Sequence, residues 1–222
     1  MTIRYSTVGI VGTGAMGRGI AQIAAQAGST VQLFDLNPEA CRQAHAAITA
    51  QWDKLQDKGR IDAATADAYK TRLQTAASLG DLHNCDLVVE AAVERLDIKQ
   101  SLFAQLEDIV RPDAVLVTNT SSLSVTAIAA GLKRPAQFAG YHFFNPVPLM
   151  KVVEVIAGLK TDAAVCAGLT EYARQMGHTP VQAQDTPGFI VNHAGRAYGT
   201  EALRIVSEGV TDFATIDRIL KD

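Results

Sequence analysis

No stretch of this chain reaches the roughly 18 uninterrupted apolar residues that a membrane-spanning helix needs, so no membrane partner is expected. Nor is there a surplus of positive charge, since 20 Lys and Arg stand against 23 Asp and Glu for a formal net charge of −3. Without a basic field nothing holds a nucleic-acid backbone or an anionic surface, and a polyanionic ligand needs a local site. Cysteine is scarce: Cys41, Cys85 and Cys166 lie far apart, are odd in number and form no C-x-x-C pair. That removes the usual zinc and redox signatures and predicts reduced structural thiols and no metal. A leader segment is not expected either, because the first apolar run, Thr7 to Gly12, already reads as a strand; a cytoplasmic location follows.

What is present suffices for a globular core. Hydrophobic residues make up 48% and charged residues 19% of 222 positions, which excludes a disordered chain and allows one large domain, or one domain and part of another. Short apolar runs alternate with helical stretches of ten or more residues, as in a doubly wound α/β sheet of Rossmann type built from parallel βαβ units. The predicted strands are Val8–Val11, Val31–Phe34, Leu87–Val89, Val115–Thr118, Gln137–Tyr141, Val152–Val155 and Pro180–Gln182. Most are apolar throughout, as expected when helices cover both faces.

Two segments depart from the minimal repeat. After Asp35, Asn37-Pro38 reads as an N-cap and first helical residue, opening a helix to about Leu55; Asp62 caps a second helix to about Leu73. This pair, about residues 38–74, reads as an insertion between the second and third predicted strands, and its Lys54 and Lys58 are candidates for a ligand phosphate against the alternative of a solvated face. Beyond Asp185-Thr-Pro-Gly188, a helix from about Phe189 to Ser207 and a short one capped by Thr211-Asp212 follow. Two helices cannot bury a core alone. The expected organisation is therefore a nucleotide-binding domain over residues 1–186 and, over 187–222, the opening of a helical domain that continues elsewhere.

Gly12-Thr-Gly14-Ala-Met16-Gly17 follows the first strand directly and opens a helix to about Ala27, which is where a dinucleotide-binding G-x-G-x-x-G must sit. Gly12 permits the tight turn, Gly14 lets a pyrophosphate approach the backbone, Gly17 lets helix and strand pack closely, and free N–H groups with the helix dipole hold the phosphates. Asp35 ends the second strand 21 residues after Gly14, placed to accept hydrogen bonds from ribose hydroxyls and to repel a 2′-phosphate. No Arg or Lys follows it, so NAD is expected rather than NADP. Among the histidines at 45, 83, 142, 178 and 193, His142 stands out because it closes an apolar strand at the ligand crevice and precedes an unusual turn, Phe143-Phe-Asn145-Pro-Val-Pro148.

Asn119-Thr-Ser-Ser122, His142-Phe-Phe-Asn-Pro-Val-Pro148, Glu154, Asp185-Thr-Pro-Gly-Phe189 and Asn192, in this order over nearly the whole chain, resemble the L-3-hydroxyacyl-CoA dehydrogenases. The resemblance implies NAD-dependent oxidation of an L-3-hydroxyacyl-CoA to the 3-oxoacyl-CoA, and the reverse. His142 would be the general base and acid, and Glu154 the carboxylate that orients its imidazole. Ser121 would hydrogen-bond the reacting oxygen, and Asn192 and Asn145 would hold the substrate. Met16 joins the glycines at the cofactor, while Glu94 and Lys99 would lie near the nicotinamide ribose with Asn119 close by. A surface helix pair is the alternative for Glu94 and Lys99. The same resemblance implies a homodimer when the helical domain is complete, and a lean toward the bacterial 3-hydroxyadipyl-CoA and 3-hydroxybutyryl-CoA type. The competing expectations are a related sugar-acid dehydrogenase, a fold that kept nucleotide binding without chemistry, and an NAD-binding fragment with little activity alone.

Overall fold

The computed structural model describes residues 3–220. Eight strands form one sheet: β1 (Thr7–Val11), β2 (Thr30–Phe34), β3 (Leu73–Thr75), β4 (Leu87–Glu90), β5 (Val115–Thr118), β6 (Phe138–Phe143), β7 (Val152–Ala157) and β8 (Thr179–Gln184). Their order across the sheet is β3-β2-β1-β4-β5-β6-β7-β8. The order reverses at β1, and such a switch point opens a crevice beyond the carboxyl ends of the strands.

Eight α-helices accompany the strands among the described residues: α1 (Ala15–Ala27), α2 (Pro38–Asp57), α3 (Ala63–Arg72), α4 (Leu96–Ile109), α5 (Val125–Ala129), α6 (Ala163–Gln175), α7 (Val191–Ser207) and α8 (Phe213–Ile219). Alternate strand residues divide between two cores. Ile10, Val31, Val89 and Tyr141 pack with α1, α2 and α6, whereas Val11, Val88, Leu116 and Phe138 pack with α4 and α5. Helices on both faces explain why β4, β5 and β6 are buried along their whole length.

The expected doubly wound sheet forms, with two differences. β6 and β7 pair antiparallel, so the sheet is mixed and the chain returns directly through the 144–151 turn without a crossover helix. The edge strand β3 was not expected, because three residues whose last two are exposed carry no apolar run; it completes the helical insertion by pairing with β2. The helix expected from Phe189 begins at Val191.

The insertion starts as its residues suggest, with the Asn37 side chain accepting from the Glu39 N–H ahead of Pro38, and Asp62 accepting from the Thr65 N–H. The Cys41 thiol reaches the Leu33 carbonyl and the His45 ring reaches the Leu73 carbonyl. Because Leu73 pairs with Val31 at the start of β2, α2 runs back from the carboxyl ends of the strands toward their amino ends. No described helix is long and apolar enough to cross a membrane.

Candidate active site

The turn between β1 and α1 is built by its glycines. Gly12 has a φ of 93°, and a Cβ there would meet the Ala91 carbonyl oxygen at 2.6 Å. At Gly17 a Cβ would lie 1.9 Å from the Gly12 carbonyl oxygen, whereas one on Gly14 would meet nothing within 4 Å. The first and third glycines are thus required by the fold. Gly14, which opens into the cleft, is free to receive a ligand. Met16 is half-buried against the core beneath the loop.

A cleft of about 840 Å³ lies over this turn, lined by Gly12, Gly14, Asp35 and a largely apolar wall that includes Leu36, Leu79 and Leu102. Backbone N–H groups for phosphates, a carboxylate for ribose hydroxyls and an apolar slot for a flat base are what a dinucleotide needs. Asp35 is positioned by neighbours that sequence reasoning did not single out: one oxygen accepts from the Thr13 N–H and hydroxyl, the other from the Asn37 N–H. Burial alone would raise the Asp35 carboxyl, but the Asn37 and Thr13 N–H groups and the Thr13 hydroxyl outweigh it and hold the group below its ordinary range. It therefore presents a full negative charge at neutral pH.

Farther along the crevice, the antiparallel register sets His142 directly opposite Glu154. Directly opposed residues of such a pair bring their Cβ atoms to within about 5 Å, and here His142 Nδ1 lies 2.6 Å from Glu154 Oε2. Both side chains are buried, His142 to 5% and Glu154 to 0% exposure. A carboxylate oxygen accepts from Nδ1 when that nitrogen carries the proton, an arrangement that leaves Nε2 as the acceptor of a neutral ring. Nε2 has no partner among the described residues. The ring packs against Phe144 and Phe189, at centroid separations of 4.5 and 5.6 Å. Phe189 has a φ of 50°, an uncommon conformation for a side chain of this size.

Glu154 reaches further. Its second oxygen accepts from the N–H groups of Ile190 and Val191, at 2.8 and 2.9 Å, which are the unpaired donors at the start of α7. From the same turn the Asn192 amide donates to the Ser121 carbonyl at 3.4 Å. Ser121 is exposed, and its N–H is held by Glu94. Asn119 uses its side-chain oxygen to accept from the Phe143 N–H, beside the histidine. The structure thus gathers His142, Glu154, Asn192, Ser121, Asn119 and Glu94 into one connected region.

Lys99 joins that region through Glu94, and the alternative of a surface pair does not hold. It is no surface residue: its side chain is 1% exposed, and its ammonium lies between Glu90 at 2.5 Å and Glu94 at 3.2 Å. Asn145 is exposed in the turn after β6, with no hydrogen bond among the described residues. Lys54 and Lys58 are exposed, at or beyond the distal end of α2. At 1.5 Å per residue Lys54 stands roughly 24 Å along the helix from Pro38, toward the amino ends of the strands, and no contact joins either lysine to the His142 region. No group of three metal-binding side chains occurs among the described residues.

A glycine turn at the switch point of a doubly wound sheet, with a cleft over it and a carboxylate at its rim, defines a dinucleotide-binding fold. The chain belongs to the 3-hydroxyacyl-CoA dehydrogenase family, whose NAD-binding domain matches residues 7–186 and whose C-terminal domain matches residues 188–222. It is 45% identical over 222 residues to the 3-hydroxyadipyl-CoA dehydrogenase of Escherichia coli K12, covering all of this chain and 47% of that protein. It is 44% identical over 216 residues to a probable 3-hydroxybutyryl-CoA dehydrogenase of Deinococcus radiodurans, covering 96% of this chain and 76% of the relative. The crystal structure of 3-hydroxybutyryl-CoA dehydrogenase from Escherichia coli K12 superposes with a TM-score of 0.91 at 44% identity, over 95% of this chain and 44% of that one. The chain thus spans somewhat less than half the length of the first of these relatives.

Proposed function

We propose that this crevice oxidises the 3-hydroxyl of an L-3-hydroxyacyl-CoA with NAD and carries out the reverse reduction. The observation that carries this reading is the 2.6 Å contact between His142 Nδ1 and Glu154, with Nε2 left without a partner among the described residues. In oxidation Nε2 takes the hydroxyl proton while hydride leaves C3; in reduction the imidazolium returns the proton to the oxygen. Bound NAD supplies the hydride acceptor, and NADH the donor. Glu154 fixes the ring and stabilises its protonated form, and the Phe144 and Phe189 rings packed against the imidazole help to hold its orientation.

Ser121, with an exposed hydroxyl that has no partner among the described residues, fits a donor to the 3-oxygen. Asn192 and Asn145 are suited to the polar groups of the thioester, which are positioning roles. Gly12, Gly14, Met16, Gly17 and Asp35 serve the pyrophosphate and adenosine half, with Glu94 and Asn119 toward the nicotinamide. A homodimer fits the apolar faces that α7 and α8 expose through Tyr198, Leu203, Phe213 and Ile219.

The test is NADH oxidation in the presence of acetoacetyl-CoA, with His142→Ala beside the unaltered protein. Turnover that His142→Ala lowers by at least about 10²-fold, with NADH still bound, is the expected result. NADH binding without acetoacetyl-CoA reduction, but with oxidation of a sugar acid, would replace the acyl-CoA reading.

A further inference from the structure

Beneath the cofactor side of the crevice lies a buried carboxylate to which the reaction as described gives no part. Glu90, the last residue of β4, is fully buried. One of its oxygens accepts from the Lys99 ammonium at 2.5 Å and from the Ala92 N–H at 2.7 Å; the other accepts from the Thr118 hydroxyl at 2.7 Å. Thr118 in turn accepts from the Thr120 N–H, and Ala92 lines the cleft.

The Lys99 ammonium continues to Glu94 at 3.2 Å. The other Glu94 oxygen takes the Thr120 hydroxyl, the Ser121 N–H at 3.0 Å and the Ser122 hydroxyl at 3.2 Å. Burial alone would raise the Glu94 carboxyl, but the Thr120 hydroxyl, the Lys99 charge and the Ser121 N–H hold it below its ordinary value. One branch from Glu90 therefore ends on Ala92 in the cleft wall, and the others end on the 119–122 loop, at buried Thr120 and, through Lys99 and Glu94, at exposed Ser121. A buried ion pair that served stability alone gains nothing from ending there, because apolar replacement of such a pair is often no less stable.

We propose that Glu90 is a positioning residue of the reaction site, holding the Lys99 ammonium so that Glu94 stays fixed on the Ser121 loop at the cofactor side of the crevice. The role rests on the dehydrogenase reading above. In the structure Lys99 is shared by Glu90 and Glu94, and Glu94 remains committed to the loop. Replacing Glu90 by a neutral residue leaves the ammonium one anionic partner, draws it toward Glu94 and pulls that carboxylate off Thr120 and Ser121. Outer groups that orient the residues touching a ligand typically change affinity or rate by about 10- to 100-fold.

The decisive variant is Glu90→Gln, which keeps shape and removes charge. The expected result is an NADH Kd raised about 10-fold and a kcat lowered by a similar factor, with KM for acetoacetyl-CoA within about 2-fold of the unaltered protein. Glu90→Asp, which restores the charge, should recover part of the NADH affinity. Should Glu90→Gln fail to fold, Thr118→Val removes one partner of Glu90 without altering charge and should raise the NADH Kd about 3-fold. Unchanged Kd and kcat in the folded variants, whatever the change in Tm, would reduce Glu90 to a structural role and overturn the proposal. If the unaltered protein binds no NADH, the dehydrogenase reading fails first, and this one with it.

Discussion

Glu154 and Ile190 are joined by a 2.8 Å hydrogen bond across 36 residues, donated by the backbone N–H of Ile190 to the Glu154 carboxylate. The carboxylate that sets the His142 proton is therefore also the acceptor for the first turn of α7, whose own N-cap residue offers no side chain for the purpose. One buried group thus serves two elements, and the placement of Asn192 on α7 becomes coupled to the orientation of the imidazole.

The coupling can be separated by chemistry. Glu154→Gln keeps a carbonyl oxygen for Ile190 and Val191 but loses the charge that stabilises protonated His142, so kcat should fall on the order of 10²- to 10⁴-fold with NADH Kd little changed. Glu154→Ala leaves two N–H groups unpaired as well and should lower Tm by several degrees beyond the Gln variant. Stopped-flow reduction of acetoacetyl-CoA and thermal melts of both proteins check this. Equal melting temperatures would show that the α7 hydrogen bonds contribute nothing.

Cofactor choice should depend on Thr13 as well as on Asp35. The Thr13 N–H and hydroxyl both donate to one Asp35 oxygen, which aims the carboxylate at the ribose position. Thr13→Val preserves shape and removes the hydroxyl. A lost hydrogen bond to a charged group is worth about 1.5–3 kcal/mol, so the preference for NADH over NADPH should narrow by about 10-fold or more. Asp35→Asn, which removes the repulsion of a 2′-phosphate, should narrow it further. The ratio of the two KM values reads both.

These assignments were not equally legible. The glycine loop and Asp35 could be read from spacing, because a tight turn and a ribose-binding carboxylate follow one another at a fixed distance along a βαβ unit. The partnership of His142 with Glu154 was implied by the family resemblance, with twelve residues leaving room for a return strand, although its antiparallel register was not legible. The pairing of Lys99 with Glu90 was not legible, because the predicted strand stops at Val89 and only the fold shows that the next residue, a carboxylate, terminates that strand inside the protein. Phe189 gave no signal either: nothing in an aromatic residue announces a left-handed backbone or a ring laid against His142. The edge strand β3 owes its existence to pairing with β2, a tertiary preference rather than a local one.

Acid should loosen the link between the linker before α7 and α5. Asp185 accepts from the Ser124 hydroxyl and from the Val125 and Thr126 N–H groups. Burial alone would raise its carboxyl, but Thr126, Ser124 and Val125 outweigh burial and the net displacement is downward. A group whose pKa is lower in the folded than in the unfolded state contributes stability above its unfolded value, near 4, and loses it as pH falls through the lower folded value. Tm of the unaltered protein should therefore be nearly flat from pH 7 to 5 and fall below about pH 4. Asp185→Asn should have a lower Tm at pH 7 and a shallower fall below pH 4. Parallel curves for the two proteins would remove Asp185 from the acid response.

The second and third glycines of the motif make opposite demands, which a pair of alanine variants separates. At Gly17 an added Cβ would lie 1.9 Å from the Gly12 carbonyl oxygen, a backbone atom that cannot swing aside. Gly17→Ala must push α1 off β1, at a cost of a few kcal/mol typical of overpacking, and should show a large fall in Tm with or without ligand. At Gly14 the backbone is extended, with φ −63° and ψ −169°, and an added Cβ would touch nothing. Gly14→Ala should therefore keep its Tm to within about two degrees, apart from a slightly poorer helix cap. Its methyl group projects into the cleft where a pyrophosphate must approach the backbone, so NADH affinity should fall about 10-fold or more. Melting curves with and without saturating NADH distinguish the cases, because a ligand stabilises only the protein that binds it. Unimpaired NADH stabilisation of Gly14→Ala would mean that the pyrophosphate does not sit over this turn.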